Sequence, residues 1–185
     1  MNFNQFINKQ DIEMTQDEQN VFQFLQQYDE QWASIFQDKL LTGRDKVTKR
    51  LVTSIHRENL VHGNDHSQLL NRRKFAGYDT HVTDILEIHF PKSKLYLYAP
   101  VTGQHAFNRI DVEGPFYYKR EQYQDEFKRI LHPNDILDWI LTESPELDNE
   151  ASQQFRDDQT NSAANMTFAL SYQYFKMKDD RAPLY

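Results

Sequence analysis

Asn161-Ser162-Ala163-Ala164-Asn165-Met166 lies inside a long helical run near the C-terminus. It follows Phe155-Arg156-Asp157-Asp158 and leads into Ala169-Leu170-Ser171-Tyr172. Asn161 and Asn165 stand four apart, so their amides share one stripe of a helix. Asparagine is a poor helix-interior residue, because its side chain competes for backbone hydrogen bonds. Two in register, beside Ser162 and Ala164, predict a helix that another backbone approaches closely and that the amides tie down. From Ser162 to Leu170 almost every residue is apolar or small, which predicts burial on all sides. Ser144-Pro145-Glu146 places a capping residue before a first-turn proline, so this helix is expected to start there and run to about Lys178.

Upstream, Pro133 punctuates, and Ile136, Trp139, Ile140 and Leu141 predict a short apolar helix. Tyr123, Phe127 and Ile130 recur at helical spacing and predict a helix over 120–131. Before that the period is two. Leu86, Ile88 and Phe90 alternate with Ile85, Glu87 and His89; after the turn Pro91-Lys92-Ser93-Lys94, Leu95 and Leu97 alternate with Tyr96 and Tyr98. A third extended stretch, 106–118, is broken by Gly114-Pro115. The three predict a small antiparallel meander.

At the start, residues 1–14 are polar and read as a flexible N-terminus. Thr15-Gln16-Asp17-Glu18 is a capping-box pattern. Behind it Val21, Leu25, Tyr28, Trp32, Ile35 and Phe36 predict one helix to about Leu40, broken by Thr42-Gly43. Val47, Leu51 and Ile55 predict a second helix that stops near His62-Gly63. Residues 63–80 read as a loop that carries the basic knot Arg72-Arg73-Lys74. The fold class is therefore α+β: N-terminal helices, a small antiparallel sheet and a long buried C-terminal helix. Residues 15–185 form its one domain.

Composition bounds the function. The 185 residues carry a net charge of -7, which argues against a general nucleic-acid binder. The mean hydropathy of -0.83, with no apolar run of spanning length, predicts no membrane partner. Cysteine is absent, which removes disulfides, thiolate metal sites and thiol nucleophiles and fits a cytoplasmic location. Thirteen Phe and ten Tyr supply core area that a hydrophobic fraction of 38% otherwise lacks.

Four segments resemble the N-terminal region of the IucA/IucC (aerobactin-synthetase-like) family of NRPS-independent siderophore synthetases. Arg50 to Leu60 is similar to the family's early helix. Ala106-Phe107-Asn108-Arg109-Ile110 is similar to its strand motif of an aromatic, an Arg and an aliphatic. Asp135 to Glu143 is similar to the short helix that precedes the long one. Asp158 to Leu170 resembles the family's Leu-x-Asn-Ser-x-Ala-Asn-Leu-Ala-Leu-Ala pattern, where Asn161, Ser162, Ala164, Asn165, Ala169 and Leu170 fit and Thr160 replaces the aliphatic. The resemblance covers 45–178. The family's next feature, a Gly-His-Pro-x-His-Pro segment of the ATP site, does not occur in these 185 residues, and His62-Gly63-Asn64-Asp65-His66 is not that motif.

The resemblance implies an N-terminal fragment of a ligase that uses ATP and magnesium. Such a ligase activates a carboxylate such as citrate as an acyl-adenylate and passes it to an amine or alcohol. The wording, rich in Asn, Gln and Lys, fits a low-GC bacterium and a staphyloferrin-type synthetase. It further implies that no catalytic residue lies in this fragment, which binds neither cofactor and is inactive alone. Its partners would be the remainder of the synthetase chain and a homodimer contact, with carboxylate and amine substrates meeting the full enzyme.

Each candidate site also has a plainer reading. Asn161, Ser162 and Asn165 read better as helix packing than as substrate contacts. Arg109 reads as a structural ion pair. Arg72, Arg73 and Lys74 are weak anion-binding candidates, with a solvated loop as the simpler account. His62 and His66 read as surface histidines, and Asp157-Asp158 point to different helix faces, so no metal site is expected. The alternative function is a non-enzymatic interaction module that binds through the apolar helix 162–170. A nucleic-acid-associated protein using Arg72–Lys74 is a third.

Overall fold

A computed structural model describes residues 11–61, 67–75, 81–107, 109–123 and 126–179, with the side chain of Lys74 left aside. Helix α1 (Gln16–Tyr28) opens on the expected capping box. The Glu18 backbone N–H donates to Thr15 Oγ1 at 3.3 Å, and the Thr15 N–H donates to Glu18 Oε1 at 2.9 Å. Helix α2 (Glu30–Glu58) follows after one residue.

That residue, Asp29, makes the break that the reading had placed at Thr42-Gly43. Its extended backbone leaves α1, and its carboxylate accepts from the Gln31 and Trp32 N–H groups at the start of α2. Gly43 lies inside α2, which runs on to Asn59 in the left-handed conformation (φ 52). The stop is therefore Asn59, ahead of His62-Gly63, which lies outside the described residues.

The sheet is antiparallel in the order β1-β2-β3-β5-β6, with β4 also paired to β3. The strands are β1 (Ser67–Asn71), β2 (Asp84–Phe90), β3 (Leu95–Gln104), β4 (Ile110–Val112), β5 (Tyr117–Arg120) and β6 (Lys128–Arg129). The expected meander is present. Strand β1 lies in the stretch read as loop, because an edge strand needs only backbone partners and its Ser-Gln-Leu-Leu-Asn sequence has no two-residue period.

The helix expected over 120–131 is also replaced by strand and turn. Phe127 and Ile130 satisfy helical spacing, yet they enter the cores on opposite faces of the sheet. One face holds Leu86, Ile88, Leu97 and Ala99 against Val52 and Ile55 of α2 and Ile136 of α3 (Pro133–Glu143). The other gathers Phe75, Ile85, Tyr98 and Phe127.

Helix α4 (Glu150–Asp179) begins after a separate 3-10 turn, Pro145–Leu147. The Ser144-Pro145 signal starts that turn, not the long helix. Asn149 and Ser152 then cap α4 reciprocally, each side chain accepting the other's backbone N–H. Burial of α4 is one-sided, which corrects the expectation of cover all round. Ala163, Ala164, Thr167 and Ser171 are buried, whereas Asn161, Asn165, Phe168 and Tyr172 are exposed. The small residues form the stripe pressed on α2; solvent meets the rest.

Trp32 of α2 lies along this seam. Its rings stack with Phe168 and Phe175 at centroid distances of 5.5 and 5.1 Å, and its Nε1 donates to Ser171 Oγ at 3.0 Å. Helix α2 is thus the spine: its first half packs on α1 and α4, its second on the sheet.

Helix α3 has His132 as its N-cap, with Nδ1 accepting from the Asn134 N–H at 3.1 Å. Burial, aided by the nearby Arg44 charge, pushes the imidazole down to about 4. The folded ring stays neutral while the unfolded chain takes up a proton between about 4 and the ordinary 6.5. Stability from this group is therefore full above that window and falls as pH drops through it. Asp45, pushed up to about 6 by burial despite its 2.6 Å pair with Arg129, works in the opposite sense. We expect His132→Asn, which keeps an acceptor at the cap, to remove about 2 to 3 kcal/mol of the pH-dependent change. Urea unfolding of both proteins at pH 4.5 and pH 7 measures it; equal pH dependence would refute the buried neutral ring.

Candidate functional site

Two concave features border the second half of α2, on different flanks. The first is a polar cleft of about 320 Å³. Thr53, His56 and Arg57 stand three and four apart, so α2 presents them on one face. The opposite wall is the β3–β4 connection. There the His105 N–H donates to the Arg109 carbonyl at 2.7 Å, closing a short loop whose tip, Phe107, has φ 62 and is exposed. Arg109 and Asp111 complete the cleft.

Inside it, His105 Nε2 lies 2.7 Å from Asp111 Oδ2. This hydrogen bond is the main reason the Asp111 carboxyl sits below its ordinary range. Gly103 leaves the room: a Cβ there would stand 3.1 Å from Asp111 Oδ2 and 3.5 Å from His105 Nε2. Thr53 donates its hydroxyl proton to the Lys49 carbonyl at 2.8 Å. Arg57 pairs with Glu58 at 2.7 Å. His56 Nδ1 is shut off from solvent with no hydrogen-bond partner. Arg109 is exposed and, among the described residues, makes no ion pair.

The second feature is an apolar groove of about 520 Å³ between α2, α3 and α4. Leu51, Leu60, Leu137, Ile140, Leu147 and Phe155 line it, and Ser162 sits at its polar edge. Leu60, Leu147 and Phe155 are left exposed by the described residues. Asn134 stitches α3 to α4 beside it, accepting from Gln159 Nε2 and donating to Thr160 Oγ1, both at 2.9 Å.

The residues singled out from the sequence do not form one site. Asn161 and Asn165 face solvent and bind each other, Asn165 Nδ2 to Asn161 Oδ1 at 2.9 Å. They do not clamp an approaching backbone. Ala164 is buried, and Ser162 borders the groove. Arg109 lies at the cleft, which shares no residue with the groove. Arg72 and Arg73 occupy a single 3-10 turn after β1, where Asn71 Oδ1 accepts the Arg73 N–H at 2.8 Å. His62 and His66 lie outside the described residues.

Sequence reasoning missed His56, Arg57, His105 and Asp111. The spacing of Thr53, His56 and Arg57 was available as a signal, but the partners across the cleft depend on hairpin register. Among the described residues no three His, Asp or Glu side chains are grouped to hold a metal ion, and no helix is long and apolar enough to cross a membrane.

No family model matches the chain, and no solved structure matches it. Its sequence is 51% identical, across all 185 residues, to D-ornithine--citrate ligase of Staphylococcus aureus (strain NCTC 8325 / PS 47). What this chain resembles is therefore a citrate ligase, of whose length it spans 28%.

Proposed function

We propose that this chain is the N-terminal part of a siderophore synthetase of the IucA/IucC kind, a ligase that joins citrate to an amine such as ornithine. The observation that carries the reading is the identity of 51% maintained over the full 185 residues with D-ornithine--citrate ligase. The match of Asn161, Ser162, Ala164 and Asn165 to the family pattern supports it.

In this reading ATP and magnesium are bound by the rest of the enzyme. Carboxylate activation as an acyl-adenylate belongs to that remainder too. This chain supplies a rigid wall. Its seat for the later part of the synthetase is the apolar groove, where Leu60, Leu147 and Phe155 would otherwise meet water. The occupant we assign is an apolar segment of the same polypeptide, because the relative extends well beyond the matched 28%.

The experiment is an AMP-release assay on the full-length enzyme with ATP, magnesium, citrate and a panel of amines that includes D-ornithine. Release that requires both citrate and one of the amines is expected, and the 185-residue chain alone should be silent. No citrate-dependent release with any amine would overturn the proposal.

A further inference from the structure

Helix α4 turns toward solvent a stripe of side chains that begins with an acid and ends with a base. We propose that this stripe is a contact between two copies of the chain, packed antiparallel about a twofold axis beside Thr167. The inference uses the pattern of α4 and its aromatic rim, and it stands apart from the ligase reading.

Register is the first argument. Asp158 and Lys176 are 18 residues apart within α4, which is five whole turns, so both lie on one line along the helix. Asn161, Asn165, Ala169 and Tyr172 fall on or close to that line, and all six residues are exposed. Asp158 and Lys176 each stand nine positions from Thr167. An antiparallel copy centred there brings each Lys176 to the Asp158 of the other copy, at both ends of a contact about 27 Å long. A parallel copy in register would set like charges side by side. Neither group makes an ion pair among the described residues; Asp158 only accepts from Gln154 Nε2, at 2.9 Å.

The aromatic rim is the second. Phe168 and Tyr172 are exposed, although their rings lie 5.5 and 5.7 Å from the nearly buried ring of Trp32. Tyr28 of α1, also exposed, meets the same ring at 5.8 Å. Aromatics gathered on a surface mark an interface more than a free face. In an antiparallel pair the same flank of each helix faces the other. Phe168, one position from the axis, therefore meets Phe168 of the second copy.

The centre of the stripe is the third. Ala169 has no bulk to hold two helices apart. The Asn161–Asn165 bond leaves Asn161 Nδ2 and Asn165 Oδ1 without partners among the described residues. Amides at a helix–helix contact fix register at a cost in stability. Each copy also carries a net charge of -7, which opposes association. A specific but weak dimer is expected, with Kd about 10 to 100 μM.

Sedimentation velocity of the 185-residue chain, from about 1 to 500 μM in about 0.15 M salt, tests this. The parent should pass from monomer to dimer across that range. Asp158→Lys and Lys176→Glu should each weaken association at least about tenfold, since each creates two like-charge pairs across the axis. Mixed in equal amounts, the two variants should associate with each other about as tightly as the parent does with itself. Their melting temperatures should stay close to the parent's, because both positions are exposed.

A parent that is monomeric throughout would overturn the proposal. So would a dimer indifferent to both substitutions, or two variants that do not pair when mixed. A monomeric chain whose substitutions still abolish AMP release by the full-length enzyme would assign the stripe to the rest of that polypeptide, and would overturn the proposal too. Self-association is read without substrates, so a full-length enzyme that releases no AMP would remove the ligase reading and leave the dimer standing.

Discussion

Gly43→Ala should destabilise the chain by about 2 kcal/mol, although alanine is the better helix former. A Cβ at this position would stand 2.1 Å from Thr167 Oγ1, 2.8 Å from the Thr167 backbone N and 2.9 Å from its Cα. Two of these three atoms are backbone, so no rotamer change of Thr167 relieves the overlap. Helix α4 must move off α2. Overpacking of this kind costs about 1 to 3 kcal/mol or more, against a propensity gain of about 1 kcal/mol.

The seam that opens is the one holding Trp32 between Phe168 and Phe175. Trp fluorescence and near-ultraviolet dichroism should therefore change along with the urea midpoint. Adding Thr167→Ala removes only the Oγ1 overlap, so the double variant should recover part of the loss. A Gly43→Ala protein as stable as the parent, with an unchanged Trp signal, would mean that α2 and α4 do not approach this closely.

Arg44→Met should cost more, about 3 to 5 kcal/mol. Arg44 is 4% exposed and Glu18 is 0% exposed. The guanidinium donates from Nε to Glu18 Oε2 at 2.9 Å and from Nη2 to Oε1 at 2.7 Å. It also donates to the Leu131 carbonyl at 3.0 Å and the Glu13 carbonyl at 2.7 Å. One side chain thus joins the approach to α1, the middle of α2 and the segment leading into α3.

Burial pushes the Glu18 carboxyl up, but the Arg44 hydrogen bonds and charge, helped by Thr15, outweigh it and hold it below its ordinary value. Without Arg44 the burial effect is left nearly alone. Two further results follow. Adding Glu18→Gln to Arg44→Met should restore much of the stability, because no buried charge remains unpaired. The single variant should also become relatively more stable as pH falls, since a buried carboxyl whose folded-state pKa is raised favours the protonated folded form. Urea unfolding of the three proteins at pH 4.5 and pH 7 measures both. A loss under about 1 kcal/mol in Arg44→Met would show that the pair contributes little.

These two neighbours show where a linear reading works and where it stops. Thr15 and Glu18 announce a helix start, and the box forms as written. The same Glu18 is the buried partner of Arg44, 26 positions away, which no local pattern reveals. Gly43 was read as a helix end because glycine often ends helices. It serves close approach instead, and only the position of Thr167 on another element shows it. Phe127 and Ile130 suited a helical period but belong to two cores, because a sheet lies between them. The cleft escaped notice for a related reason. His105 and Asp111 meet through a hairpin whose register shifts between Val101 and Gly103, and short-range spacing does not encode that shift.

Local chemistry in the chain was enough to establish the α+β class, the capped start of α1, the alternation of β2 and β3, and the short helix opened by Pro133. Each depends on interactions within a few residues, which the order of side chains expresses directly. Which face of α4 is covered, why Gly43 is a glycine, and how His56, His105 and Arg109 come to share one cleft depend on elements far apart in sequence. Packing settles those, because burial and pairing are properties of surfaces brought together and not of any segment alone.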